Sequence, residues 1–234
     1  LNTYLRNGIK LTAGAVVIDV GANIGLFAHH VLNTYPESRV IALEPATPLF
    51  RALSKNLSSF GTRAEILPFG CGDANRDNVQ FCYYPLVPGM SSFFPNSKKD
   101  FGLFKSIVHN ALIKPLENIS DDENLVNDSA FAGKSMRCSV RRLDSIISDY
   151  NINSIDLLKI DVQHGEDRVL SGISDRNWAR IKQVVLEVQD GDGAIETIEA
   201  FLMKKSFKVH EQQILEIHRN TDVYFIYATR NLAS

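Results

Sequence analysis

Between Val16 and Phe27 the chain reads Val-Val-Ile-Asp-Val-Gly-Ala-Asn-Ile-Gly-Leu-Phe, and few folds can accommodate that string. A β-branched run carrying a single acid, Asp19, predicts a buried strand at Val16–Val20. Gly21 and Gly25 punctuate a tight turn, and the apolar residues after them open a helix over Ile24–Tyr35, which stops before Pro36. Such a strand–turn–helix junction brings backbone N–H groups and a carboxylate to one edge of a sheet, where a polar cofactor can sit.

The same alternation repeats downstream. Arg39–Leu43 is a second buried strand closed by Glu44-Pro45. Thr47 is expected to cap a helix that has Pro48 at its first position and ends at Gly61. Ala64–Phe69 follows as a third strand running into Gly70-Cys71-Gly72-Asp73. A β-α-β-α-β order predicts right-handed crossovers and a parallel, doubly wound α/β sheet.

The rhythm then breaks. Asn78–Tyr84 alternates as an added strand. Residues 85–134 are irregular, with a helix expected over Phe101–Leu112 and an acidic cluster at Asp121, Asp122 and Glu123. An insertion of this size in a compact domain is expected to be a lid, a binding loop or a partly disordered segment. Regular structure resumes with a strand at Ser135–Val140 and a helix at Leu143–Tyr150 capped near Asp144. A fourth core strand at Ile155–Val162, a helix at Gly165–Ile173 and a fifth strand at Gln183–Val188 follow. An amphipathic helix, Ala194–Phe207, precedes two closing strands, Phe207–Gln212 and Val223–Ala228, expected to pair as a hairpin.

The turn itself discriminates between cofactors. Asp19-x-Gly21-x-Asn23-x-Gly25 lacks the middle glycine that lets a dinucleotide's pyrophosphate approach the backbone. A carboxylate beside the loop would repel a diphosphate but could hold an ammonium group. S-adenosylmethionine carries an ammonium and no phosphate, so this pattern favours it over NAD. Glu44, at the end of the second strand and 19 residues past Gly25, is placed to accept both ribose hydroxyl hydrogens. The Gly70–Asp73 turn is expected along the adenine edge.

Two acids complete the same edge. Asp161 ends the fourth strand, expected beside the first, and Glu187 interrupts the apolar run Val184-Val185-Leu186. A carboxylate in such a strand is costly unless paired, hydrogen-bonded or used. His164 starts the following helix. Asp161, Glu187 and Asp190 also read as an oxygen-rich Mg²⁺ site, although no spacing requires a metal and none is expected.

Composition bounds what remains. At 234 residues, one α/β domain spanning 1–234 suffices, and such a chain can bury a core without staples. A net charge of −2 gives no footprint for nucleic acid or an anionic membrane. No apolar run approaches a membrane span, and Leu1–Lys10 has no signal-peptide layout. Cys71, Cys82 and Cys138 form no CxxC pair, which suits free thiols and a cytoplasmic setting. The chain starts just before its first strand, as a piece of a longer polypeptide would.

Taken in order, Val17–Gly25, Leu43-Glu44-Pro45, Leu143-Asp144-Ser145 and Leu158–Val162 with Glu166 resemble the FkbM family of S-adenosylmethionine-dependent methyltransferases. The likeness extends to Glu187-Val188 and the final strand around Tyr224–Arg230. It is strongest to O-methyltransferase domains embedded in polyketide synthase and hybrid peptide-synthetase assembly lines. Phe81-Cys82-Tyr83-Tyr84-Pro85 with Met90-Ser91-Ser92-Phe93, and Trp178 with Ile181–Val185, carry that likeness.

The resemblance implies a class I Rossmann-like methyltransferase fold: a seven-stranded, mostly parallel sheet with 85–134 as the inserted lid. It implies S-adenosylmethionine held by Asp19, Gly21, Ala22, Asn23, Gly25, Leu26, Glu44, Pro45, Cys71 and Gly72. Catalysis falls to Asp161, His164 and Glu187, with His164 or Glu187 as base and Asp161 positioning cofactor or acceptor. The expected reaction is O-methylation of a hydroxyl on a polyketide or polyketide–peptide intermediate tethered to an acyl carrier protein. A free small-molecule hydroxyl, an amide or amine nitrogen, or a module that binds cofactor without turnover are the alternatives. The chain departs from the family at Gln163, where Glu is common, and from the embedded domains at Gln189, where His is common.

Overall fold

The computed structural model describes residues 2–108, 132–190, 193–212 and 221–230. Val16–Val20 forms a strand (β1), and Leu26–Thr34 (α1) carries the chain to a parallel neighbour, Arg39–Leu43 (β2). Thr47–Leu57 (α2) leads to Ala64–Leu67 (β3), again parallel. The expected third strand splits here. Pro68 has no N–H to continue the ladder, and Phe69–Cys71 (β4) enters a second, three-stranded sheet with Arg76–Tyr83 (β5) and Lys134–Arg141 (β6).

Between β5 and β6 lies the helix Ser97–Val108 (α3), which begins four residues earlier than expected. Asn96 and Asp100 explain the start: Asp100 Oδ2 accepts from Asn96 N at 2.9 Å, and Asn96 Oδ1 accepts from Lys99 N at 3.4 Å. The continuation expected to Leu112 and the acidic cluster at Asp121, Asp122 and Glu123 lie outside the described residues.

The second half returns to the main sheet through Leu143–Asp149 (α4) and Leu157–Ile160 (β7), beside β1 as expected. Glu166–Ser171 (α5) and Asp175–Trp178 (α6) precede Gln183–Gln189 (β8). Ala194–Lys204 (α7), Lys208–Gln212 (β9) and Val223–Thr229 (β10) close the fold. The order is β3-β2-β1-β7-β8-β10-β9, parallel except where β10 runs antiparallel to both neighbours. This is the seven-stranded, mostly parallel α/β sheet expected of a Rossmann-like methyltransferase.

Strand alternation assigns each face its layer. Ile18, Val20, Leu158, Ile160 and Leu186 bury against α4, α5 and α7. Val17, Leu157 and Val185 bury on the other face against α1, α2 and the segment before β1. Each fully buried aliphatic side chain contributes about 1.5–3 kcal/mol, so both faces are strongly fixed. Asp19, Lys159 and Glu187 fall by the same alternation on the α1 face.

Two caps differ from expectation. Thr47 is already helical, and Ala46 stands at the cap without a side-chain bond; its N–H instead reaches Glu44 Oε1 at 2.8 Å. Asp144 lies inside the first turn of α4. Its Oδ1 accepts from Ser174 N and Oγ and from Asn177 Nδ2, at 2.7–3.0 Å, and so ties α4 to α6.

Candidate active site

The turn after β1 is held by its own backbone. Gly21 N and Ala22 N both donate to Leu43 O (3.1 and 2.9 Å), Gly25 N to Ala22 O, and Ile24 N to Asn23 Oδ1. Asn23 N donates to Glu44 Oε2 at 3.0 Å. These N–H groups therefore have protein partners, and the turn offers no ready cradle for a diphosphate. Gly21 has φ +76°, and a Cβ there would stand 1.9 Å from the Asp161 carbonyl oxygen. Only glycine lets the β1 and β7 loops pass that closely.

Above this turn opens a cleft of about 690 Å³. Gly21, Asn23, Glu44, Pro45, Cys71 and Asp161 are among its walls. Glu44 is buried, and burial pushes its carboxyl up to about 7 against the two N–H bonds that favour its charge. Cys71 is buried and its thiol is pushed up to about 12, so it serves as an inert wall. Two expected contacts point elsewhere: Leu26 is 60% exposed, and Gly25 packs against Leu53 as the α1 cap. Ala22 is buried in the α1-side core, and Gly72 lies under Val140.

Asp19 does not face the cleft. Its carboxylate is fully buried, and Oδ1 accepts from Lys159 Nζ at 2.9 Å; the cation beside it is the chain's own. Lys159 also lies 3.5 Å from Asp161 Oδ2. Burial works against the Lys159 charge, but the Asp19 and Asp161 carboxylates outweigh it and hold its pKa above the ordinary lysine value.

Tyr4, from the Asn2–Tyr4 turn, closes this cluster. Its hydroxyl donates to Asp161 Oδ2 at 2.9 Å and lies 3.4 Å from Glu187 Oε2. Its ring packs edge-on against Phe27 and Phe225 and stands 4.9 Å from Lys159 Nζ. Burial, with the Asp161 charge adding to it, pushes Glu187 up to about 8, so this carboxyl is largely protonated at neutral pH. Asp161 and Glu187 thus meet at Tyr4. Asp190 instead borders a different cavity, so the three acids do not converge as a Mg²⁺ site would require. Among the described residues, no group of three or more His, Cys, Asp or Glu could hold a metal.

That second cavity, about 1550 Å³ and more open, lies between α3 and the ends of β8 and α7. His164, Glu166 and Gln189 line it, and Phe94 lines both spaces. His164 Nε2 is 2.9 Å from the buried Asp100 Oδ1, which raises its pKa despite partial burial. Ser92 Oγ donates to Gln163 O at 2.6 Å. These two bonds fasten the 85–108 segment over the sheet edge, and Gln163 and His164 both take left-handed backbone (φ +54° and +65°) to receive them.

Sequence reading missed Tyr4, Lys159, Ser92, Asp100 and Phe94 as site residues. Lys159 carried a usable signal, a lone charge in an otherwise apolar strand, by the logic that singled out Glu187. The others are brought in by tertiary structure alone.

Known proteins give a concordant picture. The sequence profile of the Methyltransferase FkbM domain matches residues 19–217. The AMB antimetabolite synthetase AmbE of Pseudomonas aeruginosa is 36% identical over 97% of the chain, which spans only 11% of that protein's length. The 31-O-demethyl-FK506 methyltransferase FkbM of Streptomyces tacrolimicus is 34% identical over 97% of the chain and 85% of its own length. A crystal structure of methyltransferase FkbM from Methylobacillus flagellatus shares the fold, with a TM-score of 0.60 and 14% identity over 96% of the chain and 46% of that protein. From the motif turn to the far strands, this chain belongs to the FkbM methyltransferase family.

Proposed function

We propose that the chain is an S-adenosylmethionine-dependent O-methyltransferase acting on a hydroxyl of a polyketide or polyketide–peptide intermediate held on an acyl carrier protein, within a cytoplasmic assembly line. The observation that carries this reading is the pair of adjoining clefts that share Phe94. One is bordered by the motif turn and two carboxylates, the other is polar and open. A donor in the first and an acceptor in the second would meet at their common wall. The relative named for 31-O-demethyl-FK506 supports an oxygen acceptor, and the synthetase relative, of which the chain spans about a tenth, supports a domain set within a larger biosynthetic protein.

The donor set fits S-adenosylmethionine. That cofactor supplies an electrophilic methyl on a sulfonium. In this reading Glu44 would take a ribose diol, Gly70 and Cys71 a purine edge, and Asp161 an ammonium group, and their common cleft supports it. The internally bonded turn leaves nothing for a phosphate. Asp161 is fixed for this role by Tyr4 and Lys159, with Asp19 and Glu187 bracing that pair from beneath. His164, held to Asp100, keeps the lid segment closed and water out.

Isothermal titration tests the cofactor: micromolar binding of S-adenosylmethionine, weakened at least about tenfold by Glu44→Gln, is expected. NADH bound in its place would end the reading. Methyl transfer to a hydroxyacyl group on a carrier protein, and none to the free acid, tests the acceptor.

A further inference from the structure

The loop from Asp161 to Asp167 is the wall between the two clefts. Asp161, Val162, Gln163 and Gly165 face the first, while His164, Glu166 and Asp167 face the second. Most acids at this edge already have a donor. Glu44 accepts two backbone N–H groups, Asp161 takes the one Tyr4 hydroxyl proton, Asp19 takes Lys159, and Asp100 takes His164, while Glu187 lies 3.4 Å from that hydroxyl and lines neither cleft. His164 is itself committed to the Asp100 pair. Glu166 differs. It is only 6% exposed, opens the first turn of α5, and among the described residues receives a hydrogen bond only from its own backbone N–H.

Resting on the methyltransferase reading above, we propose that Glu166 takes the proton from the acceptor hydroxyl, which enters through the second cleft. In that transfer the acceptor O–H bond breaks and its proton passes to a Glu166 oxygen. The freed electron pair forms the new O–C bond as the methyl leaves sulfur, which keeps the C–S pair. A carboxylate becomes a carboxylic acid and a sulfonium a neutral sulfide, so charge balances.

The surroundings suit the task. Burial pushes the Glu166 carboxyl up to about 7, near working pH, where a base both accepts and later releases a proton. The charged groups facing it are His164, which opposes the rise, and Asp161 and Asp167, which add to it. Glu187 stands beneath, and Lys98, Lys99, Asp190 and Asp222 line the cleft beyond.

The test uses Glu166→Gln, which preserves shape and burial, in the full chain. Titration calorimetry with S-adenosylhomocysteine should give the same affinity within twofold in both proteins. Infrared difference spectra of wild type against the variant should show a carboxylic acid band that ionises near pH 7. Single-turnover transfer to a 3-hydroxyacyl pantetheine thioester should rise with pH through about 7 in the wild type. In the variant it should be about 100-fold slower or more, with that rise gone and acceptor KM unchanged.

A variant within threefold of wild type, a pH rise that survives in it, or a Glu166 band ionising below pH 5 would each overturn the assignment. Failure of wild type to bind the cofactor analogue overturns the methyltransferase reading itself. If wild type methylates an aminoacyl thioester and not the hydroxyacyl one, the proposed acceptor falls, and the proposal with it. Binding without transfer to either thioester overturns both the acceptor and the base.

Discussion

The two clefts lie side by side along one sheet edge but are built differently. The first rests on the turn after β1 and on the end of β2, where two adjacent parallel strands are tied through backbone N–H groups: Gly21 and Ala22 to Leu43, Asn23 to Glu44, and Ala46 to Glu44. The second is assembled from α3, the Gln163–His164 loop and the ends of β8 and α7, which meet only through tertiary contacts such as His164–Asp100 and Ser92–Gln163. A binding site for a fixed cofactor tolerates local, rigid construction. One that must admit a varied acceptor is better made from parts that can be exchanged separately.

Beneath the first cleft, the buried charges should be the most sensitive point. Lys159→Met leaves Asp19 buried without its cation, which is expected to cost about 3–5 kcal/mol in urea unfolding. Lowering the pH should restore part of that loss, because burial favours the protonated Asp19. Equal loss at every pH would break the claim that this pair matters through charge.

Gly21→Ala comes next, at about 3 kcal/mol with cofactor binding lost, since its Cβ would stand 1.9 Å from the Asp161 carbonyl oxygen. Glu187 supplies a pH signature. Its carboxyl is raised from 4.5 to about 8 in the folded protein, so its contribution to stability is complete below 4.5 and fades as pH rises to about 8. Glu187→Gln should flatten the fall in stability across that window, seen as a smaller change in melting temperature. Tyr4→Phe removes one hydroxyl shared by two acids and should cost about 1–2 kcal/mol.

The smallest effect belongs to the other side. A Cβ at Gly102, on α3 by the second cleft, would meet nothing within 4 Å. Gly102→Ala should therefore stabilise the protein by about 0.5–1 kcal/mol, and destabilisation there would show the second cleft to be as tightly built as the first.

What could be read in advance follows this division. The strands β1, β2, β7 and β8 announce themselves as short apolar runs, because a strand covered on both faces has no polar period to keep. Glu44 and Asp161 were legible from their places at strand ends. Asp19 was legible as a buried acid, but its partner was misjudged: an in-register neighbour on β7, 140 residues away, supplies the ammonium expected of a ligand. The break at Pro68 could have been foreseen from its missing N–H. The placement of Tyr4 could not, since nothing around Asn2–Tyr4 marks it as part of a site.

By itself, then, the sequence determined the alternation of strand and helix, the glycine at position 21, and a turn unsuited to diphosphate. The alternation depends on hydrophobic periodicity and the glycine on the positive φ of a tight turn, both set close along the chain; the close pass of the Asp161 carbonyl gives Gly21 a second, tertiary reason. Tertiary structure alone decided which carboxylates are paired and, among the described residues, that Glu166 has only its own N–H, and that Phe94 lines both clefts. Burial and pairing set the charge state of an acid, and both depend on strands and segments that lie far apart in the chain and adjacent only once it has folded.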